Sequence, residues 1–146
     1  MSLTVTRATV KRKCRLTVTD FDIEIDDLIS EQLPVVEYSV LATHIADTGN
    51  AGLQATLNLG AAEVIAGEFM AQSYREPGAC EELRFLDITI GQRPPQQVLI
   101  SIADPFGLKK QGWSRLAPYL KPVVASYVAT RIGIKAKAKK LSEDEQ

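Results

Sequence analysis

Histidine occurs once in this chain, as His44, and cysteine twice, as Cys14 and Cys80. One imidazole and two distant thiols make no His/Cys set at metal-ligand spacing, so neither a metal nor a cofactor is expected. Two cysteines in such a chain read as reduced packing residues rather than as a disulfide. His44, close to Asp47, reads as a surface residue and not as a base for Cys14 or Ser39. Glycine-rich phosphate loops and the strained Gly-x-Ser-x-Gly turn are also missing, which leaves a nucleotide enzyme or an α/β-hydrolase without support. No enzymatic activity is expected. No apolar run approaches the roughly 18 residues of a membrane span. The opening MSLTVTRATVKRKCRL lacks the apolar core of a secretory signal, so synthesis and folding in a cytoplasm are expected.

Excess charge is scarce as well. The 146 residues carry a formal net charge of −1 and 24% charged residues, which argues against general affinity for nucleic acid. The charge is segregated, however. Residues 1–19 hold five basic groups and no acid, residues 20–37 hold seven acids and no base, and residues 84–140 hold eleven basic groups against two acids. The first two blocks are placed to neutralise each other.

What is abundant is helical periodicity. Leu53, Leu57, Ala61, Val64, Ile65 and Phe69 recur at three- and four-residue steps, predicting one long helix from Leu53 to Glu76 with a core face. Ala55, Leu59, Ala62, Ala66 and Met70 form a second apolar stripe, so burial on more than one side is expected. Gly60, Ala61 and Gly67 are the candidate positions for close packing of another backbone, since an interior glycine costs about 1 kcal/mol of helix propensity that only such an approach offsets. Glu63 and Glu68, set in this apolar surface, read as partly exposed, solvated carboxylates in preference to a paired, buried role.

Along the chain, Thr6 predicts the cap of a short helix from Arg7 to Leu16 with Ala8, Val10 and Cys14 turned inward. A second helix starts near Asp20 to Asp22 and keeps its spacing to about Ala46, with a kink or break expected at Pro34. The acids Asp22, Glu24, Asp26 and Asp27 lack the glycine and terminal glutamate of a calcium loop, and read as a solvated helix face. Asp47 to Asn50 turn the chain into the central helix. Beyond Pro77 and Gly78, residues 83–90 and 98–102 partly alternate, predicting two short strands or an extended insert over 83–103. Asp104 and Pro105 signal a third helix reaching about Leu120, anchored in the core by Trp113, Leu116 and Tyr119. Residues 123–146 start apolar, turn basic at Lys135, Lys137, Lys139 and Lys140, and read as an arm that orders on a partner. The expected fold is mainly α: a small helical bundle around one long helix, with an extended or β-hairpin segment. A helical domain over 1–122 would carry the insert, and 123–146 would form the C-terminal arm.

Three segments in this order, DFDIEIDDLISEQLPVVEYSV, LNLGAAEVIAGEFMAQSYREPG and GWSRLAPYLKP, resemble the head-tail adaptor, or head-completion, proteins of tailed bacteriophages. They cover about a third of the chain, and GAAEVIAGEF and GWSRLAPYL carry the most weight. The resemblance implies a structural virion protein of the neck, assembled in the host cytoplasm. It implies a homo-oligomeric ring, commonly of about twelve copies, docked below the portal protein and joined to tail, stopper or neck proteins. DNA would pass through the channel without sequence-specific binding, and no membrane is involved. A terminal arm would grip the portal, which in this chain points to Tyr127, Arg131, Ile134, Lys135, Lys137, Lys139 and Lys140. Pro34 and the extended look of 85–102 depart from the simplest members. The alternative is a small helical nucleic-acid-binding regulator that uses the basic C-terminal half, although that half lacks interleaved aromatics.

Overall fold

The first turn of the first helix already shows the rule that shapes the molecule, in which short polar residues fix the ends and buried apolar residues fix the middle. In the computed structural model, which describes residues 2–75 and 104–132, α1 spans Arg7–Cys14. The Thr6 side chain accepts from the Thr9 N–H, and Val10 and Cys14 are buried. The helix stops before the expected Leu16 because Arg15 turns left-handed, at φ 56°, and returns its N–H to the Arg12 carbonyl.

Helix α2 spans Asp22–Ser39 and runs through Pro34 without a break. Pro34 and Ser30, whose carbonyl loses its helical donor there, are both exposed, so water can satisfy that carbonyl. Ile25, Leu28 and Val36 remain buried on either side. The break instead falls at Val40 and Leu41, where both residues are extended. There Val40 forms an isolated antiparallel bridge with Leu120. The Leu41 N–H donates to the Tyr119 carbonyl at 2.9 Å and the Lys121 N–H to the Ser39 carbonyl at 3.0 Å. A contact 80 residues away, not the proline, ends the helix.

The short α3, Ala42–Ala46, follows. Its terminal carbonyls are met by Gln54 Nε2, which donates to His44 O and Asp47 O, both at 2.9 Å. Asn50 caps the next helix by accepting from the Leu53 N–H. That helix, α4, spans Ala51–Arg75, about 37 Å at 1.5 Å per residue.

From Leu57 to Met70 the apolar residues of both predicted stripes are buried except Leu59, which like Leu53 is half-buried, while Ala55 is exposed; they divide between two clusters by position along the helix, not stripe by stripe. Leu57, Ala61 and Val64 meet Leu3, Val36, Val40, Leu116, Leu120 and Val128, whereas Ile65, Ala66, Phe69 and Met70 meet Val10, Cys14, Ile25 and Leu28. The described residues are mainly helical and contain no strand. The extended segment expected over 83–103 lies outside them.

Helix α5 spans Leu108–Leu116 and passes into a 3-10 turn, Ala117–Tyr119. It begins three residues later than the expected Pro105 because Gly107 adopts φ 69°. Asp104 still caps it across that turn, its carboxylate accepting from the N–H groups of Lys109 and Lys110.

The chain from Pro122 onward departs from the expected arm. Pro122 is the first residue of a further helix, α6, Pro122–Ile132, and Val128 of that helix is buried in the core around Val36 and Leu57. The apolar start of the arm is therefore a core element, which a boundary at 123 had excluded.

Candidate functional site

The glycines of α4 are where two helices meet most closely. A Cβ on Gly60 would lie 2.7 Å from Leu116 Cγ, and one on Gly67 2.6 Å from the backbone nitrogen of Lys109. The partner surface also contains a glycine, Gly112, whose Cβ would lie 2.7 Å from Gly60 O and 2.8 Å from Val64 N. The neighbour implied by the small residues of α4 is thus α5 of the same chain. Ala61 sits beside Gly60, fully buried in the core. Of the three predicted anchors, Leu116 is fully buried, while Trp113 and Tyr119 are half-buried against the same core. His44 stacks edge-on to Tyr119 at 5.4 Å.

Close approach of α5 seals Glu63 from solvent. The expectation of a solvated carboxylate fails here, for Glu63 is 0% exposed. Lys13 Nζ donates to Oε1 at 3.0 Å, Gln111 Nε2 to Oε1 at 3.2 Å, Arg115 Nε to Oε2 at 3.0 Å and Arg115 Nη2 to Oε1 at 3.2 Å. Hydrogen bonding to Glu63 raises the Arg115 guanidinium above its ordinary value. Every donor is taken from α1 or α5, so one carboxylate ties both helices to α4. Oε1 accepts three of these bonds and Oε2 one, so the carboxylate acts as a clamp between the helices. Glu68 is paired too, with Lys109.

Nothing near Glu63 in the sequence identifies it as buried. The usable signal is indirect: Glu63 falls midway between Gly60 and Gly67, within the stretch that approaches another backbone. Cys14, adjacent to Lys13, donates to the Ala66 carbonyl at 3.7 Å, and burial pushes its thiol up to about 12.

The N-terminal basic block meets the acidic one as its charge pattern predicts. Arg7 bonds both Asp22 and Asp26, and Lys11 Nζ lies 2.7 Å from Asp22. Lys11, with Arg7 beside it, holds the Asp22 carboxyl below the usual carboxylate value. Glu37 accepts from the Leu3 N–H and Asn58 from the Thr4 N–H, which fastens the extended N-terminus to α2 and α4.

The outward face of α2 is left over. Ile23, Glu24, Asp27, Ser30, Glu31, Pro34, Val35 and Tyr38 are all exposed and recur at three- and four-residue steps. Glu24, Asp27 and Glu31 have no ion pair among the described residues. Lys121 covers one face of the Tyr38 ring at 3.9 Å, yet Tyr38 stays 75% exposed.

Among the described residues there is no group of His, Cys, Asp and Glu suited to a metal, and no helix long and apolar enough to cross a membrane. Of the residues assigned to the portal-gripping arm, Tyr127 and Arg131 lie in α6, and Ile134, Lys135, Lys137, Lys139 and Lys140 lie outside the described residues. Cys80 does as well. No known protein family, curated protein or solved structure matches the chain.

Proposed function

We propose that this chain is a structural protein of a tailed-phage neck, forming a ring beneath the portal that joins head to tail and lets DNA pass. One observation carries the reading. The three adaptor-like segments fall on α2, on α4 and on α5 with its following turn, and these elements share one core through Val36, Leu57 and Leu116. The phrases that resemble the adaptors therefore belong to the body of the fold, rather than to scattered surface loops. A ring closed by head-to-tail contacts needs two different, complementary side faces. The unpaired carboxylates of α2 and the basic residues of the C-terminal half are candidates for them. The lysines from Lys135 to Lys140 suit an acidic surface on the portal.

The test is co-sedimentation and electron microscopy of the purified chain with the portal protein encoded in the same genome. A ring-shaped density seated on the portal is expected. Absence of any portal complex, together with retention of duplex DNA at physiological salt, would overturn the reading in favour of a nucleic-acid-binding regulator.

A further inference from the structure

The unpaired charges of the helical body stand on opposite flanks of it. At about 100° per residue, Gly60 and Gly67, which face α5, lie half a turn around α4 from Phe69, whose ring meets Phe21 at the start of α2. Glu63 and Ala66, which α1 reaches through Lys13 and Cys14, fall between them. Helices α2 and α5 therefore flank α4 on opposite sides, with α1 in between. On α2, Asp22 and Asp26 turn to α1, whereas Glu24 and Glu31 lie about half a turn away from that pair. Around these acids and Asp27, the side chains of Ile23, Val35 and Tyr38 are 75%, 54% and 75% exposed.

The unpaired cations are elsewhere. Arg12 and Arg15 at the end of α1 and Lys110 in the first turn of α5 are exposed, and none has an ion pair among the described residues. Val18, beyond Arg15, and Phe106, before α5, are exposed apolar groups next to them in the chain. The body thus carries an acidic and partly apolar face on α2, and a basic one on α1 and α5.

We propose that the outer face of α2 in one copy docks on the α1–α5 face of the next, so that copies join head to tail. Charge decides the pairing. Two copies joined α2 to α2 would press unpaired carboxylates against unpaired carboxylates, which is unfavourable, whereas α2 against α1 and α5 brings opposite signs together. The spans agree as well. Helices α1 and α5 converge on the Glu63 carboxylate, a helix width of 8–10 Å apart, and the seven residues from Glu24 to Glu31 cover about 10 Å. One α2 face therefore reaches cations on both helices. Because the two faces are on opposite flanks, a copy that uses one still offers the other, and the contact repeats. The inference deepens the ring reading by naming its side contact, and rests on that reading only for closure into a ring.

The experiment is sedimentation velocity of the full chain over a range of concentrations, without the portal. Species larger than a dimer are expected to grow with concentration and to fade in about 1 M salt, where screening acts within about 3 Å. Asp27→Lys with Glu31→Lys, and separately Arg12→Glu with Arg15→Glu, should each weaken association about tenfold by setting like charges face to face. An equal mixture of the two variants should associate again, since the basic α2 of one then meets the acidic α1 of the other; this rescue also shows that both variants fold. A parent that stays monomeric, a dimer and nothing larger, variants that associate as the parent does, or a mixture no better than its components would each overturn the proposal. Assembly of the free chain without any portal complex would sink the neck reading and leave this contact standing, while a chain that binds portal but never itself would do the reverse.

Discussion

Glu63 shows how the cost of burying a charge is distributed over its partners. The carboxylate has no path to water, whereas Lys13 and Arg115 keep 26% and 35% of their side-chain surface exposed. Removing a partner and removing the carboxylate are therefore unequal perturbations. Arg115→Ala leaves a buried carboxylate with only Lys13 and Gln111, and it is expected to cost roughly 3 kcal/mol. Glu63→Gln keeps hydrogen-bonding capacity in the cavity and lets both cations turn outward, so about 1 kcal/mol is expected. Urea denaturation of the two variants checks the order, and a larger loss in Glu63→Gln would show that the carboxylate, not the cations, is the readily solvated member. The clamp was illegible in the sequence for a plain reason. Its donors stand about 50 residues away on both sides, and no local pattern connects them. The meeting of the two charge blocks, by contrast, was legible from their opposite sign and closeness in the chain, although Asp22 and Asp26, read as part of a solvated face, are half-buried partners of Arg7 and Lys11.

At the scale of elements, the seam between α4 and α5 depends on backbones touching. Gly112 has no room for a methyl group, since its Cβ would press on Gly60 O and on Val64 N, and neither can swing away as a side-chain end can. Gly112→Ala gains about 1 kcal/mol of helix propensity, but forcing α5 outward loosens Leu116 and the Glu63 clamp together. A net loss of about 2 kcal/mol is expected. Thermal melts followed by Trp113 fluorescence measure it, and a variant as stable as the parent would mean that the helices can separate at no cost. Gly60 and Gly67 were recognisable in the sequence because they interrupt a strong helical pattern. Gly112 was not, because the short polar helix around it has no such pattern to interrupt. Pro34 misled in the opposite direction: a proline on the wet side of a helix leaves its unpaired carbonyl to water, and the helix continues.

For the whole molecule, the boundary between body and C-terminal segment is set by Val128. A chain ending at Ile132 retains α6 and should melt close to the full-length protein. A chain ending at Lys121 loses Val128 from the core, and a drop of roughly 1.5–3 kcal/mol is expected for that side chain alone. Circular dichroism melts of both truncations decide it, and equal stability would show that α6 does not contribute to the core. The same comparison makes Ile132, not Pro122, the place to cut when the lysines are to be removed without touching the body. The sequence by itself determined that the chain would be mainly helical, that α4 would be its centre, that small residues would bring another helix against it, and that the first two charge blocks would meet. All of these rest on periodicity or on residues close in the chain, where spacing alone places side chains on a common face. Only the tertiary structure decided where α2 ends, which backbone fills the glycine seam, that Glu63 is buried, and that α6 belongs to the core. Each of those depends on a contact between residues tens of positions apart, whose energy exists only once the chain has closed the loop that joins them.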